Sequence, residues 1–258
     1  MKLADYPPQE PLSEAGQAYS AECWRRSEGI PFREEAYGPD AWQRLAIFEP
    51  KKPDGHVLLF WHGGGWTSGY KEWFGFMAPA FTAAGITFIS AGYRLAPQHL
   101  FPTGLDDCLA ALVWVEKNVS RQIYIGGHSA GGHYAALIAA RSGGKRVKGC
   151  LPISGVYEFG EGSGLSMRPR FLGSAKDDAA SPRYQLQAPL PPFLVAYGTK
   201  DFAHLIPQAE RFVEAVRAAG GKVQALPMEG RTHFTASYAG GEADGPWVPA
   251  ALAFMAAR

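Results

Sequence analysis

The chain has little of what would place it in several large protein classes. Its 258 residues include only three cysteines, Cys23, Cys108 and Cys150. None forms a Cys-x-x-Cys pair, so there is neither a disulfide framework nor a cysteine metal site, and the set suits a reducing compartment. No stretch approaches the roughly 18 apolar residues that a membrane-crossing helix needs. Met1 to Leu12 carry Pro7, Pro8 and Pro11 in place of the apolar run of a signal peptide. A cytoplasmic protein without a membrane partner is the expectation. An excess of one charge is also missing: 25 basic and 24 acidic residues leave a formal net charge of +1. The basic residues are scattered singly or in pairs, which excludes the basic stripe of a nucleic-acid-binding protein. There is no internal repeat and no composition break, so residues 1–258 read as one domain.

What is present is alternation. Gln43 to Glu49 alternates as a half-exposed strand stopped by Pro50. His56 to Trp61 is apolar on both parities, the mark of a strand covered on two faces. Strands over Ile86 to Ala91, Gln122 to Ile125, Val147 to Ile153, Phe193 to Tyr197 and Val223 to Leu226 alternate with helices around Glu72 to Ala84, Gly104 to Lys117, Ala130 to Arg141, Ile206 to Ala219 and Pro246 to Ala257. This is the pattern of an α/β fold with a mostly parallel central sheet and helices on both faces. Residues 154–192 break it with Gly, Ser, Pro and charges, a longer excursion than a usual connection and a candidate lid or pocket wall.

Two glycine-rich turns sit where strands end. Gly127-His128-Ser129-Ala130-Gly131 joins a strand to a small-residue helix, the setting of a nucleophile elbow whose serine projects from the sheet edge. His62-Gly63-Gly64-Gly65-Trp66 follows the buried strand, and its consecutive glycines can aim the N–H groups of Gly64 and Gly65, together with that of Ala130, at one oxygen. A phosphate-cradling loop is the rival reading, but no Gly-Lys-Ser/Thr follows. In an elbow-bearing sheet the acid follows a late strand and the histidine follows the last. Asp201 and His233 occupy those places, with Glu158 the rival acid. Among the other histidines, His62 is expected to brace its loop. His128 and His133 are expected to give packing or polar support; a metal held by His62, His128 and His133 has no His-Glu-x-x-His or cysteine pair behind it, so no metal is expected. Asp106 and Asp107 open a helix, where carboxylates favour the dipole and can pair with Arg94.

With these residues in view, the sequence resembles the HGGG-containing branch of the α/β hydrolases. It is similar to hormone-sensitive-lipase-like esterases and to the arylformamidase (kynurenine formamidase)-like group. Tyr93-Arg94-Leu95-Ala96-Pro97 with Phe101-Pro102 resembles both groups. Gly127-His128-Ser129-Ala130-Gly131-Gly132-His133 and Gln208 resemble the formamidase side, while His62-Gly63-Gly64-Gly65 is the esterase spelling. The resemblance implies the α/β-hydrolase fold with a reduced cap, residues 1–36 lying near the pocket, and acyl transfer without a cofactor. The expected substrate is a small-molecule ester or activated amide, a formamide such as N-formylkynurenine being the alternative. Ser129, His233 and Asp201 are then nucleophile, base and orienting acid, and Trp66, Tyr70, His128 and Phe234 are the expected substrate contacts. A non-catalytic receptor on the same fold and a peptidase are the competing functions, and the sequence sets neither monomer nor homodimer.

Overall fold

The computed structural model describes residues 3–142, 144–165 and 167–257. One sheet runs through it, built from β1 (Arg33–Ala36), β2 (Arg44–Phe48), β3 (His56–Trp61), β4 (Thr87–Ala91), β5 (Gln122–His128), β6 (Gly149–Ile153), β7 (Phe193–Lys200) and β8 (Val223–Thr232). The strand order is β1-β2-β4-β3-β5-β6-β7-β8. The β1–β2 and β2–β4 pairings are antiparallel and the other pairings are parallel. The helices are α1 (Glu14–Ser27), α2 (Ala78–Ala83), α3 (Thr103–Asn118), α4 (Ala130–Ser142), α5 (Asp177–Ala180), α6 (Leu205–Ala218), α7 (His233–Tyr238) and α8 (Val248–Ala256). None among the described residues is long and apolar enough to cross a membrane.

The two-sided apolar strands work as their composition demands. In β3, Val57, Leu59 and Trp61 join a core with α3, α4 and α6, whereas Leu58 and Phe60 join a second core with α1, α2 and α8. Successive side chains point to opposite faces, so a central strand must be apolar at every position to serve both layers. Each fully buried side chain of this size contributes about 1.5–3 kcal/mol. The expected pairing of the helix-opening acids resolves onto Asp107, which is buried. It accepts from Gln43 Nε2 at 2.7 Å, from the Arg94 backbone N–H at 2.8 Å and from Arg94 Nη2 at 2.7 Å.

The excursion after β6 is tied down. Phe159, Phe171, Leu172 and Ala180 are buried in the first core. The Ala180 carbonyl accepts from His133 Nε2 at 2.7 Å, and the Phe171 carbonyl accepts from the Phe101 N–H at 2.9 Å. At the other end of the chain, α1 packs on the second core through Tyr19 and Cys23, its only buried non-glycine residues.

Candidate active site

The turn between β5 and α4 holds Ser129 at φ +54°, a left-handed conformation uncommon for a residue with a Cβ. Such strain persists only where surrounding contacts impose it. Here the Ser129 N–H donates to the Ile153 carbonyl at 3.0 Å, and its own carbonyl accepts from the His133 N–H at 2.9 Å. Gly131 leaves room for the crossing chain, since a Cβ there would lie 2.0 Å from the Trp61 carbonyl oxygen.

His233 opens α7 behind a locked cap: the Thr235 N–H donates to Thr232 Oγ1 at 3.3 Å and the Thr232 N–H to Thr235 Oγ1 at 2.8 Å. This reciprocal capping box holds the first helical residue in register. The imidazole is buried, with Nδ1 2.8 Å from Asp201 Oδ1 and Nε2 3.0 Å from Ser129 Oγ. A carboxylate only accepts, so Nδ1 carries the proton and Nε2 presents its lone pair to the serine hydroxyl.

Asp201 Oδ1 also accepts from the Phe202 N–H at 2.7 Å, and Oδ2 accepts from the Ser154 hydroxyl. Burial pushes this carboxyl up, but the hydrogen bond and charge of His233, then the Ser154 and Phe202 donors, outweigh it and hold the pKa below the ordinary aspartate range. A folded pKa below the unfolded value of about 3.9 stabilises the fold above that pH, and the contribution is lost as pH falls through the folded value. Removing the hydroxyl in Ser154→Ala takes away a charge-assisted bond of about 1.5–3 kcal/mol. The variant is expected to unfold at a higher pH on acid titration than the parent, measured by circular dichroism; an unchanged midpoint would contradict the assigned bond.

The loop after β3 lies against Ser129: a Cβ on Gly63 would come 3.2 Å from Ser129 Cβ. Gly64 has φ +112° and a Cβ there would overlap the Ser68 carbonyl, so only glycine makes this turn. Its own carbonyl accepts from the Thr67 and Ser68 N–H groups at 3.2 and 3.0 Å. The N–H groups of Gly64, Gly65 and Ala130 donate to no backbone carbonyl among the described residues. His62 braces the loop as expected, Nδ1 donating to the Gly63 carbonyl at 2.7 Å while the ring stacks on Tyr93 at 4.4 Å.

A family model described as alpha/beta hydrolase fold matches residues 58–171, which span the glycine loop and the elbow. The esterase LipC of Mycobacterium tuberculosis is 30% identical over 78% of this chain. The Pyrobaculum calidifontis esterase superposes with a TM-score of 0.76 at 22% identity, over 97% of this chain and 94% of that one. The chain has the α/β-hydrolase fold. It spans 59% of the length of LipC, and 73% of the kynurenine formamidase of Danio rerio, to which it is 26% identical over 77% of its own residues.

Within this hydrolase fold the expected residues take different places. Ser129, His233 and Asp201 come together, and the Gly64–Gly65 loop meets them. Trp66 is buried, donating from Nε1 to His133 Nδ1 at 3.1 Å and stacked on Phe171 at 4.3 Å. Tyr70 packs on Tyr6, Trp24 and Trp73. Phe234 stacks on Tyr19 at 4.9 Å and meets the His233 ring edge-on at 5.6 Å. The expectation that His128 contacts substrate does not hold: it is 1% exposed, with Nε2 2.9 Å from the His233 carbonyl and Nδ1 3.3 Å from the Tyr19 hydroxyl. The three histidines of the metal reading spend ring nitrogens on protein hydrogen bonds instead. Glu158, the rival acid, is neutralised by Arg183 at 2.7 Å and by Arg211. Two neighbours of the triad were not legible as such. Ser154 sits at φ +50° at the end of β6, and the only sequence signal is a Ser-Gly pair beside the acid's strand. Phe202 is 46% exposed and stacks on the His233 imidazole at 4.4 Å, a large apolar side chain left open beside the candidate base.

Proposed function

We propose that this α/β hydrolase cleaves a small carboxylic ester or activated amide through an acyl-enzyme on Ser129. The observation that carries the reading is the continuous chain Ser129 Oγ to His233 Nε2 at 3.0 Å and His233 Nδ1 to Asp201 Oδ1 at 2.8 Å, beside three N–H groups that donate to no backbone carbonyl among the described residues. His233 Nε2 takes the Ser129 proton as Oγ bonds to the substrate carbonyl carbon. The N–H groups of Gly64, Gly65 and Ala130 hold the oxyanion, each worth about 2.7–4 kcal/mol in comparable sites. The imidazolium then gives its proton to the leaving oxygen or nitrogen as that bond breaks. Water repeats the sequence and frees the acid and Ser129. Asp201 keeps the tautomer and stabilises the imidazolium without taking the proton.

The same proton transfer sorts the surroundings. The leaving atom must approach His233 Nε2, so the leaving group lies on the side of Phe202 and Phe234, where a flat group finds aromatic faces. The acyl group lies toward Trp66, whose stack on Phe171 takes up space next to the oxyanion loop and favours a short acyl chain. Phe159 and Phe171, both buried against Trp66, serve as a fixed pocket wall on this side. A panel of aryl acetates, butyrates and palmitates tests the reading by kcat/KM: acetate or butyrate is expected to be fastest, and preference for palmitate would contradict it. A second reading, an aryl formamide as substrate, is favoured by the length-matched formamidase relative. N-formyl aryl amides in the same panel separate the two.

A further inference from the structure

We propose that His128 and Tyr19 are positioning residues for His233, so that the N-terminal helix α1 sets the geometry of the base from behind; this rests on the reading of Ser129, His233 and Asp201 as a working triad. Three elements distant in sequence meet here. His128 ends β5, Tyr19 lies on α1, and His233 opens α7.

The hydrogen bonds fix a direction. The His233 carbonyl only accepts, so the His128 Nε2 that lies 2.9 Å from it carries the proton. His128 Nδ1 is then the acceptor, and it faces the Tyr19 hydroxyl at 3.3 Å. With its one proton given to His128, the tyrosine oxygen accepts from the Ser237 hydroxyl at 3.0 Å, whose proton is shared with the Phe234 carbonyl at 2.7 Å. Tyr19 therefore reaches α7 twice: through Ser237 on its last turn, and through His128 to the backbone of its first residue. The tyrosine itself has no freedom to move away. It is 5% exposed, stacked on Phe234 and Tyr238 at 4.9 and 5.7 Å and met edge-on by Trp73 at 5.5 Å.

The consequence for chemistry follows from where the anchored carbonyl sits. It belongs to the residue whose side chain must hold Nε2 within hydrogen-bond reach of Ser129 and Nδ1 within reach of Asp201. Rotation of that peptide plane swings the imidazole off both partners, and a misplacement of about 1 Å can lower turnover about a hundredfold. The neutrality of His128 matters as well, since its ring centroid is 4.7 Å from that of His233. Burial, and then the neighbouring His233, hold His128 well below the ordinary histidine range. It can therefore donate a hydrogen bond without placing a second positive charge beside the imidazolium that forms during the reaction.

Steady-state kinetics on the best aryl ester test the proposal in four variants with melting temperatures measured alongside. His128→Leu removes the donor and is expected to lower kcat by about ten- to a hundredfold with KM nearly unchanged. His128→Gln carries an N–H at comparable reach and is expected to recover most of that loss. Tyr19→Phe, which keeps the ring packing, is expected to lower kcat a few-fold, and combining it with His128→Leu is expected to add little, because the tyrosine's link to the first residue of α7 runs through the histidine. A merely structural role would lower the melting temperature of His128→Leu and His128→Gln alike without separating their kcat values. Parental kcat in His128→Leu, or a Gln variant no better than the Leu variant, would overturn this proposal alone. A parent enzyme that turns over no ester or formamide would overturn the triad reading and this proposal with it.

Discussion

Ser129→Ala is expected to lower kcat by a factor on the order of 10⁶. In the proposed mechanism the hydroxyl is the atom that bonds to the substrate carbon. Cys108 and Cys150 are buried in the core and have thiols pushed up by burial, so neither can act as a substitute nucleophile. Residual catalysis of about 10³–10⁴ over water should survive, because the glycine loop and the Ala130 N–H still hold an oxyanion when water attacks. The alanine keeps the left-handed backbone at φ +54°, so the variant should melt close to the parent. Kinetics with protein of verified folded fraction check this, and turnover within tenfold of the parent would refute the nucleophile.

Asp201→Ala is expected to cost on the order of 10⁴ in kcat. Without the carboxylate, His233 loses the acceptor that keeps the proton on Nδ1 and the charge that stabilises the imidazolium, while Phe202 N–H and the Ser154 hydroxyl lose a shared partner. Asp201→Asn should retain more activity than Asp201→Ala in this site. The Phe202 N–H donates to Oδ1, the oxygen that also faces His233, so it favours an amide placed with its oxygen there and its nitrogen toward Ser154, whose hydroxyl can rotate to accept. The tautomer is then kept and the charge alone is lost. An asparagine variant slower than the alanine variant would show that the amide sits the other way round.

Much of this arrangement was readable from residue order, for identifiable reasons. β3 matches its expected bounds of His56 to Trp61 because a strand between two helical layers must be apolar throughout. The candidate acid and base follow from topology: Asp201 comes directly after β7, and His233, the first residue of α7, directly after β8. β8 runs on to Thr232, well past the expected Leu226: Pro227 and Gly230 look like stops, but β8 lies at the edge of the sheet, where such residues are tolerated. Helix α1 carries no clear helical apolar stripe in the sequence because only Gly16, Tyr19 and Cys23 are buried along it, although Ser13 caps it by accepting from the Gly16 N–H at 3.2 Å. β1 is a short, charged edge strand whose Arg-Glu-Glu-Ala sequence gives no strand signal. Ser154 and the partners of His128 lay beyond such reasoning. Their contacts join residues 47, 109 and 105 positions apart, and no periodicity encodes which side chains meet across neighbouring strand ends.

Reaction of the parent with a fluorophosphonate, followed by intact mass and peptide mapping, interrogates the nucleophile most directly. One phosphonyl adduct on Ser129 is expected, together with none on the Ser129→Ala variant and slowed labelling of His233→Ala. A folded parent that takes up no adduct, or carries it on another residue, would contradict the account.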